Sequence, residues 1–274
     1  MDLQFAKGHG AKNDFVIFAD EHDSLHLAPA QIARVCDRRS GIGADGTLRA
    51  VRGRHIPQWD GDPDIWFMDY HNSDGSLAEM CGNGLRVFVK YLLANGLATG
   101  PVVQVGTRAG LRHGEMLDDG RIAVWMGKVV LADAPQITVN AGERILAATK
   151  ANVGNPHAVI SLSGGGLAEI DLREPPTWSP REAFPDGVNI EFVERLTPGR
   201  VAMRVFERGS GETLACGTGI VAVAAFERRL SGLDQIIVEC PGGTLEVRFA
   251  GDEGTLCGSA ELVARGVFDL REDL

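Results

Sequence analysis

Two stretches of the sequence align without a gap: FMDYHNSDGSLAEMCGNGLRVFV, residues 67–89, and AMRVFERGSGETLACGTGIVAVA, residues 202–224. The alignment places Cys81 over Cys216, which stands 135 positions later. Each stretch has the pattern of a strand, a polar turn, a CGxG motif and an apolar helix. Self-similarity at about half the chain length indicates a duplication, because solenoid repeats are only about 20 to 50 residues long. The sequence therefore predicts two similar halves.

Strand and turn signals surround both blocks. The 274 residues include 35 Gly and 12 Pro, and runs such as DFVIF (14–18) and VNIEFVERL (188–196) have the β-branched and aromatic content of strands. The spacing of Ile32 and Val35 behind Pro29 predicts a helix that stops at Gly41. The last strand is expected to return to the first half. We therefore place an N-terminal domain, which carries Cys81, at residues 1–122 plus 263–274, and a C-terminal domain, which carries Cys216, at residues 123–262.

Composition excludes several classes of protein. The formal charge of −10 and a pI near 5.2 argue against a nucleic-acid partner. The N-terminus lacks the apolar region of a signal peptide, and no run approaches the roughly 18 apolar residues of a membrane helix. We therefore expect a cytoplasmic protein without a membrane partner. Five cysteines, none spaced as CxxC, disfavour a disulfide framework and a zinc ribbon, and no metal site is predicted.

The CGxG motif predicts chemistry at sulfur. A cysteine just ahead of a helix lies at the positive end of the helix dipole, which lowers the pKa of a thiol and favours bound anions. If a pseudo-twofold axis relates the halves, a thiolate and a thiol face each other across a bound carbon, and a base and an acid on opposite sides invert a stereocentre. Only five lysines occur and no phosphate loop is evident, so no cofactor is expected.

The two blocks, together with GHGAKNDF near the start, GIGADG at 41–46 and GNPH at 154–157, resemble the diaminopimelate epimerase family over essentially the whole chain. The resemblance implies an isomerase that interconverts LL- and meso-diaminopimelate, for lysine and peptidoglycan synthesis, without a cofactor. It implies an α/β (α+β) fold of two similar, pseudo-symmetric domains. Each is a mostly antiparallel sheet wrapped around a central helix, with the active site in the cleft between them. A homodimer is expected.

The resemblance also implies the roles of individual residues. Cys81 and Cys216 would be the acid/base pair, assisted by His157 and Glu207. Residues in the remaining family positions would contact the substrate through side chains or backbone: Asn13, Asn72, Gly82, Asn83, Asn155, Asn189, Glu207, Arg208, Gly217 and Thr218. Gly46 departs from the family, some of whose members carry a substrate-contacting glutamine there.

Several alternatives remain open at the level of sequence. The chain could be a related racemase or epimerase acting on proline or another amino acid, although that group typically carries a histidine where Asn83 stands. It could be a thiol-redox switch, since facing thiols oxidise readily, or a non-catalytic amino-acid binding protein. GIGADG also fits GxGxxG, but a helix precedes it and a strand follows it, the reverse of a dinucleotide site. His22 and His26 are expected in a solvated loop.

Overall fold

The computed structural model describes residues 2–133 and 137–270. Within these two ranges the α-helices are α1 (Pro29–Cys36), α2 (Gly82–Ala94) and α3 (Gly217–Ser231). The strands that precede residue 133 are β1 (Asp2–Gly10), β2 (Asn13–Ala19), β3 (Gly46–Arg52), β4 (Trp66–Asn72), β5 (Val102–Thr107), β6 (Gly110–Met116), β7 (Ile122–Lys128) and β8 (Val130–Leu131). Those that follow are β9 (Ile137–Ala141), β10 (Arg144–Asn152), β11 (Pro156–Ser161), β12 (Thr177–Ser179), β13 (Asn189–Thr197), β14 (Arg200–Glu207), β15 (Gly211–Thr213), β16 (Gln235–Cys240), β17 (Gly243–Ala250), β18 (Glu253–Gly258) and β19 (Glu261–Asp269).

The chain divides into two compact units. Unit 1 comprises Met1–Val124 and Gly258–Leu274, and unit 2 comprises Trp125–Cys257. The predicted boundaries after residues 122 and 262 stay predictions, and residues 271–274 of the predicted C-terminal strand lie outside the described residues. Among those described, no helix combines the length and hydropathy needed to cross a bilayer.

Unit 1 is a sheet around α2. Strand β1 pairs antiparallel with β2 and, on its other side, with β19, so the end of the chain does return to the first strand. Strand β3 is parallel to β2 and antiparallel to β4, which is followed by the parallel strand β5 and the antiparallel β6. Helix α2 packs against β1, β2, β3, β6 and β19.

Unit 2 repeats this plan around α3. Strand β10 pairs antiparallel with β11, β13 is parallel to β11 and antiparallel to β14, and β14 is followed by the parallel β16 and the antiparallel β17. Helix α3 packs against β11, β13, β14, β16 and β17. Its start at residue 217 and that of α2 at residue 82 keep the 135-residue offset of the alignment. Both units thus have the same strand directions and one enclosed helix.

Both enclosed helices carry apolar side chains around most of their circumference, which is why they lie inside their sheets. In α2, Leu85, Val87, Phe88, Val89 and Leu92 are fully buried, and so is the run Ile220–Ala224 in α3. By contrast α1 is a surface helix that covers the other face of the unit 1 sheet through Ile32, Val35 and Cys36. The interior of each unit therefore fixes the position of one helix and of the cysteine before it.

One predicted boundary is wrong. Helix α1 ends at Cys36 rather than near Gly41. Asp37 has an extended backbone, and its carboxylate accepts hydrogen bonds from the backbone N–H groups of Arg39 and Ser40. A carboxylate that bonds nearby N–H groups stabilises a turn in competition with the helix. The basic residues that suggested a last helical turn belong to this loop.

Candidate active site

Cys81 is the N-cap residue of α2, half-buried at the end of the loop that follows β4. Its Sγ accepts a hydrogen bond from the backbone N–H of Gly84 at 3.4 Å and donates one to Asn13 Oδ1 at 3.4 Å. Asn83 Nδ2 reaches the same oxygen at 3.4 Å. Three residues that the sequence predicts for the site, Asn13, Cys81 and Asn83, therefore lie together in unit 1.

Two charged residues hold this cluster. Asp45 Oδ2 accepts a hydrogen bond from Asn13 Nδ2 at 2.7 Å, which leaves Asn13 Oδ1 directed to Cys81. Arg86 is completely buried in α2 and donates to Asn83 Oδ1 at 2.9 Å and to the carbonyl of Gly82 at 3.3 Å. The GNG turn after Cys81 is thus braced by a guanidinium from its own helix.

Asn72 lies at the end of β4, outside the cluster just described. Its Nδ2 donates to Ser76 Oγ at 3.0 Å, and its backbone is paired with Gly46 of β3, which in turn pairs with Phe15 of β2. A Cβ atom at Gly46 would lie 2.4 Å from the carbonyl oxygen of His71. In this register of β3 and β4 there is therefore no room for a side chain at Gly46 unless the backbone of His71 shifts.

Cys216 is the equivalent N-cap residue of α3 in unit 2, but it is buried, with 5% of its surface exposed. Its Sγ lies 3.5 Å from Thr218 Oγ1. Burial, followed by the charges of Glu207 and Glu191, raises the pKa of the Cys216 thiol well above its ordinary value. The N-cap position predicts the opposite direction, so for this cysteine burial and two carboxylates outweigh the helix dipole.

Glu207, at the end of β14, is the carboxylate next to Cys216. It accepts hydrogen bonds from the Cys216 thiol and from Thr213 Oγ1. Burial, opposed in part by these hydrogen bonds and reinforced by the charge of Glu191, raises the pKa of the Glu207 carboxyl. A carboxylate with a raised pKa in contact with a thiol is placed to accept the proton of that thiol.

His157 and Asn155, from the GNPH motif, lie on the other side of Cys216. His157 is fully buried, with Nε2 2.9 Å from Asn155 Oδ1 and Nδ1 2.6 Å from Glu191 Oε1. Asn155 Nδ2 donates to Thr218 Oγ1 at 3.2 Å. These residues connect the GNPH turn to the first turn of α3, beside the sulfur.

Asn189 and Arg208 complete the predicted set. Asn189, at the start of β13, accepts a hydrogen bond from the backbone N–H of Arg208 at 2.9 Å and donates to the carbonyl of Pro156 at 3.4 Å. The exposed Arg208 side chain packs over Gly187 and donates to the carbonyl of Asp186 at 3.3 Å. The predicted residues of unit 2 therefore surround the start of α3.

The three other cysteines have no CGxG motif and lie elsewhere, and for them the sequence predicts buried, small apolar side chains rather than site residues. Cys36 and Cys257 are buried, as expected of small apolar side chains. Cys240 is half-buried and donates to the carbonyl of Gly243. Among the residues that the structure describes, no three His, Cys, Asp or Glu side chains converge on a point that could hold a metal ion.

Sequence reasoning missed three polar residues of these two sites. Glu191 and Arg86 each stand alone as a charge in an otherwise apolar run, IEFV and LRVFV, and a lone charge at a core position is the signal that could have identified them. Asp45 lies within the GIGADG motif, which contributes to the family resemblance and also fits a dinucleotide fingerprint, but neither pattern assigns a role to this carboxylate. Its contact with Asn13 comes from the pairing of β2 with β3, so no sequence spacing reveals it.

Known proteins are similar in sequence to this chain over nearly its full length. The sequence model of a family described as diaminopimelate epimerase matches residues 5–132 and 149–263. Diaminopimelate epimerase of Streptomyces coelicolor is 46% identical over 97% of this chain and 96% of that protein. The protein of the same name from Corynebacterium glutamicum is 42% identical, covering 97% and 98%, and that from Thermobifida fusca is 43% identical, covering 96% and 97%.

Solved structures of more distant proteins share the fold. A phenazine biosynthesis protein of the PhzF family from Bacillus anthracis superimposes with a TM-score of 0.68 at 14% identity, covering 98% of this chain and 99% of that chain. A hydroxyproline epimerase from Agrobacterium vitis gives a TM-score of 0.66 at 13% identity, covering 97% and 92%. The predicted α+β fold of two similar domains, mostly sheet with few helices, is confirmed. The family model and the named relatives indicate the same family, and the chain therefore belongs to the diaminopimelate epimerase family.

Proposed function

We propose that this isomerase interconverts LL- and meso-diaminopimelate by moving a proton at one α-carbon between Cys81 and Cys216. The observation that carries the proposal is the equivalent placement of the two cysteines. Each is the N-cap residue of the enclosed helix of its unit, and each is hydrogen-bonded to a residue that the sequence assigns to the substrate. Two thiols at equivalent positions of similar units suit a reaction in which one group removes a proton from one face of a carbon and another group adds a proton to the opposite face.

Stabilisation of the carbanion is the main demand of this reaction, because an amino-acid α C–H is a much weaker acid than a thiol. The first N–H groups of a helix have no partner within the helix. In α2 these belong to Gly82 and Asn83, and in α3 to Gly217 and Thr218. We assign them to the α-carboxylate, which gains negative charge as the proton leaves. Each such donor contributes on the order of 2.7 to 4 kcal/mol to a transition state of this kind.

The two thiols start in different states in this proposal. With its raised pKa, Cys216 is a thiol at neutral pH and delivers a proton to the carbon, while Cys81 as thiolate removes the proton from the opposite face. In the reverse reaction Glu207 accepts the proton of Cys216 while the Cys81 thiolate takes a proton from solvent, so that Cys216 becomes the base and Cys81 the acid. The mechanism requires both sulfurs to reach the same α-carbon from opposite sides.

The remaining predicted residues recognise the substrate in this account. The exposed guanidinium of Arg208 is suited to bind the distal carboxylate with two parallel hydrogen bonds. The amides of Asn13, Asn72, Asn155 and Asn189 provide donors and acceptors for the ammonium and carboxylate groups. His157 assists proton transfer through its contact with Asn155. The homodimer and the cytoplasmic location that the family implies stay predictions.

Proton NMR of the reduced enzyme with LL-diaminopimelate in heavy water tests this function. The wild type is expected to exchange the α-proton and form the meso isomer. Cys81→Ala and Cys216→Ala are each expected to lose at least about 10³-fold in rate, since positioned acids and bases contribute about 10² to 10⁴ each. Cys240→Ala, at a half-buried cysteine outside both sites, is the matched control and is expected to retain full activity.

Other results of this experiment would contradict the proposal and indicate a different substrate or function. A wild type that leaves diaminopimelate untouched but racemises proline or hydroxyproline would change the substrate. Inactivity on all of them would favour a thiol switch or a binding protein. Retention of epimerisation in either cysteine variant would contradict the two-thiol mechanism.

A further inference from the structure

Glu191 is a buried carboxylate to which the proposed mechanism assigns no role. It lies in β13 between the buried side chains of Ile190 and Phe192, and none of its own surface is exposed. Its Oε1 is 2.6 Å from His157 Nδ1, whereas its Oε2 has no hydrogen-bond partner among the described residues. Burying a carboxylate inside a sheet is unfavourable, and replacing a whole buried pair such as Glu191 and His157 by apolar residues is often neutral or stabilising. A stabilising role in the core therefore does not explain this side chain.

A continuous path of polar contacts leads from Glu191 to the sulfur of Cys216. It runs from Glu191 through the two ring nitrogens of His157 to Asn155 Oδ1, and then from Asn155 Nδ2 to Thr218 Oγ1 at 3.2 Å. Thr218 Oγ1 in turn lies 3.5 Å from Cys216 Sγ. All members of the path belong to unit 2.

Glu191 also packs against the first turn of α3, the helix whose N-cap residue is Cys216. A Cβ atom at Gly219 would lie 2.7 Å from Glu191 Oε1 and 3.3 Å from Cys216 Cβ, so the carboxylate packs directly under the first turn of α3. The charged or titratable groups that face Cys216 are then Glu191 from β13, Glu207 from β14 and, through Asn155, His157 from β11.

We propose that Glu191 is a positioning residue of the Cys216 site, which fixes the ring of His157 and through it the Asn155 and Thr218 side chains beside the thiol. The Glu191 carboxylate and the Asn155 amide oxygen are both acceptors, so Nδ1–H donates to the first and Nε2–H to the second, and the two contacts together set the ring orientation. Partners that orient a functional histidine in this way commonly change rates when they are removed. The kinetic part of this inference rests on the proposed epimerase function.

Glu191→Leu and Glu191→Gln remove this contact to different extents. Leucine has no acceptor and leaves the buried Nδ1 of His157 without its partner, so the melting temperature is expected to fall and kcat to drop about tenfold with KM within about twofold. Glutamine keeps one acceptor oxygen, and its kcat is expected to fall only about threefold. Glu246→Gln, at another buried carboxylate of unit 2 that pairs with Arg248 and Gln235, is the matched control for the rate, and its kcat should not change.

Two further readouts do not depend on the substrate. Nitrogen-15 NMR of labelled histidine, assigned with His157→Gln, should show shifted His157 ring signals in Glu191→Leu and smaller shifts in Glu191→Gln. The pH profile of Cys216 alkylation by iodoacetamide, followed by peptide mass spectrometry, should move to lower pH in both variants because a nearby negative charge is gone.

The outcomes of these experiments are distinct. If the wild type fails on diaminopimelate while both substrate-independent readouts move as expected, the epimerase proposal falls and the positioning role stands. Wild-type kcat in Glu191→Leu, or unchanged His157 signals with an unchanged Cys216 profile, would overturn the positioning role. If Glu191→Leu fails to fold, Glu191→Gln decides by the same readouts.

Discussion

The surroundings of Cys81 and Cys216 differ although their backbones follow the same plan. Cys81 is half-buried, and its described hydrogen bonds are with the backbone of Gly84 and the amide of Asn13. Cys216 is buried, accompanied by the carboxylates of Glu207 and Glu191. A fully buried cation, Arg86, supports the helix start after Cys81, and a fully buried anion, Glu191, supports the one after Cys216. The shared fold positions the sulfurs, and the side chains around them decide their protonation.

This difference matters because an epimerase needs one base and one acid at the same time. Two thiols in identical surroundings would share one protonation state over most of the pH range. At Cys216, burial and two negative charges favour the protonated thiol, which is why we propose that this half begins the reaction as the acid. The comparison therefore predicts that the two half-sites respond differently to matched changes.

Glu207→Gln is expected to have the largest effect among the changes that leave both thiols in place. It removes the carboxylate that we propose as the acceptor of the Cys216 proton, and kcat should fall about 10²-fold. Rates measured by NMR in both directions test this. Glu212→Gln, at the neighbouring carboxylate that binds Arg204, is the control and should be near wild type. A loss smaller than about threefold in Glu207→Gln would remove this carboxylate from the mechanism.

Alkylation distinguishes the two thiols directly. At pH 7.5 iodoacetamide should modify Cys81 at least about tenfold faster than Cys216, which is buried and protonated. The Cys216 rate should still rise above pH 9, because a raised pKa delays formation of the thiolate. Cys36, whose pKa burial raises to about 11, provides a slow reference in the same digest. A Cys216 rate that levels off below pH 8 would contradict this picture.

The same pKa shift affects folding. Because the folded-state pKa of Cys216 lies above the unfolded value, its contribution to stability is complete below the ordinary thiol pKa. That contribution is lost as the pH rises through the folded value. Urea unfolding of the wild type and Cys216→Ala at pH 7 and pH 10 should therefore show a larger alkaline loss of stability in the wild type.

Equivalent glycines in the two helices should respond unequally to alanine. A Cβ at Gly219 would lie 2.7 Å from Glu191 Oε1, whereas a Cβ at Gly84 would make its nearest contact at 3.3 Å, with Phe15. Gly219→Ala is expected to destabilise unit 2 by about 1 to 3 kcal/mol. In Gly84→Ala, a gain of up to about 1 kcal/mol in helix propensity offsets the tighter packing. Equal unfolding midpoints in urea would show that Glu191 does not brace this turn.

Asp45→Asn should have the smallest effect. It weakens the contact that holds Asn13 beside Cys81 at a partly exposed position, where such interactions contribute less than about 1 kcal/mol. We expect kcat/KM to fall about threefold. Asp37→Asn, which changes an exposed carboxylate of the same loop, should leave kcat/KM unaltered. A loss as large as that of Cys81→Ala would give Asp45 a direct role instead.

Much of this arrangement could be predicted from sequence because it is local. The CGxG motifs, the apolar helices behind them and the strands before them each lie within about 25 residues, where periodicity and caps are informative. Glu191 meets His157 across 34 residues, and Asp45 meets Asn13 across 32, through strand pairing that periodicity does not encode. The raised pKa of Cys216 could not be predicted either, because burial and a second carboxylate reverse the direction that its N-cap position gives.

The most direct test of two unequal thiols acting from opposite faces is the position of deuterium at low conversion. In heavy water, LL-diaminopimelate should yield meso product with solvent deuterium at the inverted carbon, while the recovered LL isomer keeps its proton. Two bases give this pattern because the proton removed and the deuteron delivered belong to different sulfurs. Equal deuterium in recovered substrate and product would show that one base serves both faces, and would contradict the account.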